Sequence, residues 1–478
     1  MSLLKLKTMN IRTQLKLSVL LFIILVSCQK TFKNKTINGV WIQEGYGRII
    51  AIKDSSYTYF NTTENSCLPL ISNDDLTNRF RIVDFKDDKL TLNPGGIVNY
   101  HFKRTDKLPE YCINYDTNKN NSPELNFSVL WNTFDKHYAF FEQRNIDWDS
   151  VKIKSQEKLK NIQSDKELYN LFKDILKSFN DGHIKLDAPD SLRTKNTTNK
   201  KNKNRKSKKG VINDIVNTYL NNFKSYNNDL IQWGILKKEN IGYIVLTDMN
   251  NFSNYIPNQD LSVKEFDKEY EKVLETKSGI TQLDDELNGV DFVMNQVLSD
   301  LVETQSIIID LRFNGGGYET VALKLLSYFI KEQKHILSIK AKKGNNYTDE
   351  QEHILTPAKN VYQGKVIVLT SHNTASAAEI FALGAMAYPE IKRFGSSTNG
   401  IFSEILWKNL PNGWEFSLSN EVYSDPKENI YEIVGVPPEY KIDYSKNRTD
   451  FYNSFYMENE FKDIGIDKIV TWHNTVYK

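Results

Sequence analysis

Beyond residue 240 the chain alternates between two textures. Compact apolar runs, Ile241-Gly242-Tyr243-Ile244-Val245-Leu246, Ser306-Ile307-Ile308-Ile309-Asp310-Leu311 and Lys365-Val366-Ile367-Val368-Leu369, are each followed by apolar positions at helical spacing. Strands buried on both faces and alternating with helices predict an α/β layer core over 231–445, with its chemistry at the strand ends. Upstream, Phe127, Leu130, Trp131 and Phe134, then Leu168, Leu171, Phe172, Ile175 and Leu176, recur at helical intervals and predict a helical subdomain over 125–190. Earlier still, short runs such as Arg48–Ile52 and Tyr57–Phe60 between Gly, Asn and Asp turns predict a small antiparallel β domain over 36–108. Arg193–Gly210 holds no large apolar residue and cannot bury a face, so 191–230 reads as a solvated loop and connection. Residues 446–478 are left as a C-terminal tail. At 478 residues the chain exceeds a single typical core, in keeping with a multidomain α/β protein.

The first 28 residues stand apart. Lys5, Lys7, Arg12 and Lys16 precede an apolar stretch, Leu17–Val26, too short for a permanent membrane span but suited to a signal peptide, and Met9 is an alternative start for it. The stretch ends Leu25-Val26-Ser27-Cys28, which resembles a bacterial lipobox, with Cys28 the residue to be acylated; a plain signal peptide is the alternative. Acyl chains on Cys28 would hold the protein to the membrane of the cell envelope, and the basic residues just after it favour the periplasmic face. An oxidising compartment would allow Cys67 and Cys112 to pair. Charge is balanced, 62 Lys+Arg against 60 Asp+Glu, so no overall field draws nucleic acid. No cysteine–histidine cluster at ligand spacing and no nucleotide motif is present, so neither metal nor cofactor is expected.

Four pieces carry candidate chemistry. The strand ending at Thr370 leads through a short turn into Thr374-Ala375-Ser376-Ala377-Ala378-Glu379, which puts Ser376 at a helix N-terminus. Ser376-x-x-Glu379 is a capping box if nothing else is added, yet free amides and the helix dipole also suit the charge that grows on an attacked carbonyl. Asp310-Leu311-Arg312-Phe313-Asn314-Gly315-Gly316-Gly317 runs a strand into three glycines able to present N–H groups, with no Gly-Lys-Ser/Thr to make it a phosphate loop. Asn180-Asp181-Gly182-His183 closes the helical region, and Tyr431-Glu432-Ile433-Val434-Gly435-Val436-Pro437-Pro438 ends the α/β region.

Taken in order, these pieces and the Gly395-Ser396-Ser397-Thr398-Asn399-Gly400 turn resemble the C-terminal-processing (tail-specific) serine peptidases over Phe127–Asp443. One branch of that family uses a lysine where this chain has Ile401, so a Ser-Lys dyad is ruled against. The sequence is more similar to the branch of the tricorn core and the bacterial relatives of interphotoreceptor retinoid-binding protein. That resemblance implies Ser376 as nucleophile, His183 as base and Glu432 as the acidic residue behind it, with oxyanion donors among Gly316, Gly317 and Ala377. His372, four residues before Ser376, is a rival base. The implied core is a crotonase-like layered α/β fold, and the implied activity is hydrolysis of protein or peptide substrates through an acyl-enzyme, without cofactor. Many relatives carry a PDZ domain after the helical segment; the interval here is too short for one. A non-catalytic envelope lipoprotein that binds an apolar ligand or peptide on the same scaffold is the competing reading.

Overall fold

The computed structural model of the chain describes residues 36–73, 75–113, 121–193, 206–257, 261–457 and 460–477. Cys28 and the signal-like segment lie outside them. Gly39–Lys478 forms one compact unit.

This unit is built on a seven-stranded sheet. From one edge its strands are Tyr440–Lys441, Lys392–Gly395, Lys365–Thr370, Ser306–Asp310, Ile241–Leu246, Ile231–Leu236 and Leu220–Tyr226. The first five are parallel, Ile231–Leu236 runs against them, and Leu220–Tyr226 pairs antiparallel with that strand. Alternate side chains go to opposite faces, as strand geometry requires. Ile244, Leu246, Ile307, Ile309, Val366 and Val368 join one core with the helices Gly279–Asp300, Glu319–Ser327 and Ala377–Met386. Tyr243, Val245, Ile308, Ile367 and Leu369 join the other with Lys208–Tyr219, Arg448–Asn453 and Ile464–Tyr477. The result is a sheet between two helical layers.

Two sequence expectations change here. The solvated stretch ends sooner than its composition suggests: Ser207 caps a helix starting at Lys208, because Val211, Ile212, Ile215 and Val216 bury one side and the first turn tolerates lysine. The helix feeds the edge strand Leu220–Tyr226, buried only at its two ends, which is why it reads as polar. The tail is also not a tail. Phe451, Ile466 and Ile469 are buried under the sheet, and Asp463 takes the fully buried Arg312 at 2.6 Å.

An all-antiparallel seven-stranded sheet occupies Gly39–Thr105, in the order Cys67–Asn73, Ser56–Thr62, Arg48–Lys53, Gly39–Gln43, Tyr100–Thr105, Lys89–Asn93 and Arg81–Lys86. Cys67 on its edge strand is joined to Cys112 by a disulfide. Helices Pro123–His137, Trp148–Leu159 and Asp165–Lys177 pack around Phe134 and Phe172 and against the hairpin Ile405–Asn409 and Glu415–Ser419. No helix among the described residues is long and apolar enough to cross a membrane.

Candidate active site

Two neighbouring parallel strands, Ser306–Asp310 and Lys365–Thr370, end in turns that are latched together. Arg312, fully buried, holds the first turn. Its guanidinium donates to Asp310 and to both oxygens of Asp463 at 2.6 and 2.8 Å, and to the Tyr444 hydroxyl at 2.9 Å. Two buried carboxylates around one guanidinium satisfy charges that would each be costly alone. The second turn hangs on the first: Ser371 Oγ donates to the Arg312 carbonyl (2.7 Å), Thr374 Oγ1 to the Leu311 carbonyl (2.8 Å), and Ala375 N–H to the Asn314 carbonyl (3.2 Å).

The glycines follow directly. Gly316 and Gly317 have φ of +109° and +137°, closed to other residues. A side chain at Gly316 would begin 2.6 Å from Ser376 Cβ and 3.1 Å from Ala377 N, so the loop lies against the serine. The Gly316 N–H is already engaged, donating to Asn314 Oδ1 at 2.9 Å. The amides of Gly317 and Ala377 have no acceptor among the described residues. Of the three oxyanion donors expected from sequence, two are therefore open and one is taken.

Ser376 is unlike every other serine that opens a long helix here. Ser122, Ser164, Ser207, Ser262 and Ser278 sit in extended backbone and accept from an amide of the first turn. Ser376 has φ +55° and ψ −127°, a strained conformation for a residue with a side chain. Its carbonyl takes the Glu379 N–H at 2.7 Å. The strain is held from outside. Buried Glu379 accepts from Ser376 N (3.2 Å), Ile401 N (2.8 Å), Gly400 N (2.7 Å) and Thr398 Oγ1 (2.6 Å), while the Ile401 carbonyl also takes the Ser376 N–H at 3.2 Å. Burial pushes the Glu379 carboxyl up to about 7, against hydrogen bonds that each favour the anion. A glutamate legible in sequence only as half of a capping box thus ties the helix start to the 398–401 loop.

His183 is reached through Ile401, whose side chain packs on Gly182. The histidine is 8% exposed, its backbone N–H donates to Asp181 Oδ1 at 2.9 Å, and its carbonyl accepts from Ser417 Oγ at 2.7 Å. Burial holds the imidazole below the usual histidine range, against the charge of Asp181 and a hydrogen bond from the ring to the Ser403 main chain. Nδ1 is buried without a partner among the described residues. The ring and the Ser376 hydroxyl are not hydrogen-bonded to each other.

Glu432 reaches the histidine's surroundings through Arg144, which it shares with Asp181. Its carboxylate accepts from Phe402 N at 2.8 Å and faces Arg144 at 3.4 Å, and it makes no hydrogen bond to the imidazole. Burial pushes it up to about 8. Asp181, which accepts from the His183 backbone amide and whose charge raises the imidazole pKa, also accepts from the Tyr138 hydroxyl at 3.0 Å and lies 3.6 Å from Arg144. Arg144 is the member that sequence reading missed. It sits in a turn with no periodic signal, and its guanidinium donates to the carbonyls of Phe179 and Asn180 just before Asp181. His372 lies near Lys446, and burial and that charge lower its pKa. Among the described residues no group of acidic, histidine or cysteine side chains is arranged to hold a metal.

The chain matches the model of peptidase family S41 over residues 240–442 and that of the tricorn protease C1 domain over 120–177. It is 25% identical over 139 residues to a Staphylococcus saprophyticus protein named "Probable CtpA-like serine protease", a match covering 29% of this chain and 28% of that relative's length. In fold it is similar to a crystal structure assigned as a peptidase from Parabacteroides merdae, with a TM-score of 0.55 and 20% identity over 74% of this chain and 97% of the other. Mature CPAF is similar at a TM-score of 0.51 and 11% identity, covering 76% of this chain and 99% of that one. The S41 match covers the α/β core that carries Ser376 and the glycine loop, and the tricorn C1 match covers the helices that precede His183, so in its core the chain is similar to the peptidases of family S41, which include the C-terminal-processing peptidases.

Proposed function

We propose that the chain is a serine endopeptidase that cleaves peptide bonds of envelope proteins or peptides through an acyl-enzyme on Ser376. The observation that carries this reading is the strained backbone of Ser376 at a strand-to-helix turn, its N–H on Glu379, which three further donors of the 398–401 loop hold in place, and its side chain set against the glycine loop. A serine serving only as a cap has no need of that strain.

In the mechanism, neutral His183 takes the hydroxyl proton as Ser376 attacks the carbonyl, then returns it to the leaving amine. The ring must close on the hydroxyl when substrate binds, as catalytic hydrogen bonds open in free enzymes commonly do. Asp181 stabilises the imidazolium, and Glu432 acts behind it by fixing Arg144 and the Phe402 amide. The amides of Ala377 and Gly317 receive the oxyanion, each worth a factor of about 10²–10³ in rate. The parts proposed for this work are a helical region at 125–190 carrying the histidine and a core at 231–445 carrying the serine, with the 36–108 sheet beside them. A lipid on Cys28 would anchor the enzyme in the envelope, facing the periplasm.

The test is hydrolysis of unfolded casein by the full-length chain and by its Ser376→Ala and His183→Ala variants. Loss of cleavage in both is expected. Cleavage that persists in Ser376→Ala removes the reading, and no cleavage by any form favours a ligand-binding lipoprotein.

A further inference from the structure

A cavity of about 780 Å³ opens beside the serine turn. Gly182, next to His183, and Ile401, whose carbonyl takes the Ser376 N–H, form part of its wall together with Gly400, which places the cavity next to the residues that hold Ser376. Its charge is one-sided. Arg144, Lys173, Lys177 and Lys446 line it, against the single carboxylate of Asp181.

That carboxylate is already occupied by Tyr138, Arg144 and the His183 amide. Lys173, Lys177 and Lys446 have no acidic partner among the described residues. Lys173 and Lys177 lie four apart on one helix and so project from the same face, one turn from Tyr169. Lys446 comes from a separate segment, beside His372. Arg144 adds an Nε–H that is buried and without a hydrogen-bond partner among the described residues, on a side chain only 8% exposed. Surface lysines usually find acids or open water. Here they converge from separate elements on a concave space, where low-dielectric walls focus their field.

We propose that this cavity is a subsite for peptide carboxylates, so that the enzyme prefers substrates carrying acidic side chains, or a free chain end, a short way from the bond held at Ser376. Cations spread over separate elements suit several carboxylates better than one, which favours acidic segments as their source. The subsite rests on the peptidase reading of Ser376 for its role in catalysis, but its binding chemistry is measured separately.

Three fluorescein-labelled nonapeptides distinguish the sources: one with three glutamates and an amidated end, its glutamine counterpart, and that counterpart with a free carboxylate. Binding is read by anisotropy on the full-length Ser376→Ala chain at low ionic strength. The glutamate peptide is expected to bind about tenfold tighter than its amidated glutamine counterpart, an advantage that shrinks at high salt. Lys173→Gln with Lys177→Gln reduces the preference to about twofold, and the paired arginine substitutions at the same positions retain it. A gain confined to the free-carboxylate peptide supports the subsite and assigns it to chain ends. Equal binding of all three peptides, or a preference unchanged by the double glutamine variant, overturns it. Cleavage of the same peptides by the wild-type chain reports on Ser376 alone: selective binding without cleavage removes the peptidase reading and leaves the subsite, whereas cleavage without selectivity does the reverse.

Discussion

Glu379→Gln separates a helix cap from a device that holds a nucleophile. The carboxylate takes four donors on its two oxygens: Thr398 Oγ1 and Gly400 N on Oε1, Ile401 N and Ser376 N on Oε2. Glutamine keeps one carbonyl oxygen and turns an NH₂ toward the other two donors. Ser376 N retains the Ile401 carbonyl, so the uncompensated loss falls mainly on one or two buried amides, at about 1–3 kcal/mol each. Over a chain this long such a loss moves the melting temperature by only a few degrees. Reactivity falls further, because the loop no longer opposes a strain of about 1–3 kcal/mol at Ser376, and relaxation carries the hydroxyl away from its position. Forfeiting about 3 kcal/mol of that preorganisation corresponds to roughly a hundredfold in rate. The assay is the second-order rate of labelling by a fluorophosphonate, with the melting temperature measured on the same sample. A variant that melts lower but labels at the wild-type rate would refute the reasoning and return Glu379 to the role of a cap.

Ser376→Gly should be about 1 kcal/mol more stable than Ser376→Ala by denaturant unfolding, because only glycine adopts φ +55° without strain. The pH dependence of kcat/KM should show an acid limb with its midpoint below 6.5: the base acts when neutral, and burial lowers the pKa of His183, so activity is lost only as pH falls through that lower value. Arg312→Met should cost about 3–5 kcal/mol, since it leaves Asp310 and Asp463 buried without their cation, and protease sensitivity should appear first in the C-terminal helix. Removing the Cys67–Cys112 bond, which spans 45 residues, should cost about 4 kcal/mol in reversible unfolding of the oxidised against the Cys→Ser protein.

The parallel strands of the core were legible because both of their faces are buried, which leaves continuous apolar runs such as Ser306–Asp310. Ser376 and the glycine loop were legible for a related reason: chemistry in a layered α/β sheet collects at strand ends, and those ends can be read from where the runs stop. The edge strand Leu220–Tyr226 was not, since only its terminal residues face the core. The C-terminal helices were missed because their tie to the core is a long-range charge pair, Arg312 with Asp463, that no local pattern announces. Arg144 escaped for the same reason, lying 37 and 288 residues from the carboxylates it joins. Asp181 was not singled out as a carboxylate beside His183, although it stands two residues away in sequence and accepts from the histidine's backbone amide.

The central claim, that Ser376 is a nucleophile activated by His183, is tested most directly by treating the full-length chain with a fluorophosphonate and locating the adduct by mass spectrometry. The expected result is a single adduct on Ser376 that is lost in Ser376→Ala and falls by orders of magnitude in His183→Ala. An adduct on another residue, or labelling of Ser376 that survives His183→Ala and disappears in His372→Ala, would contradict it.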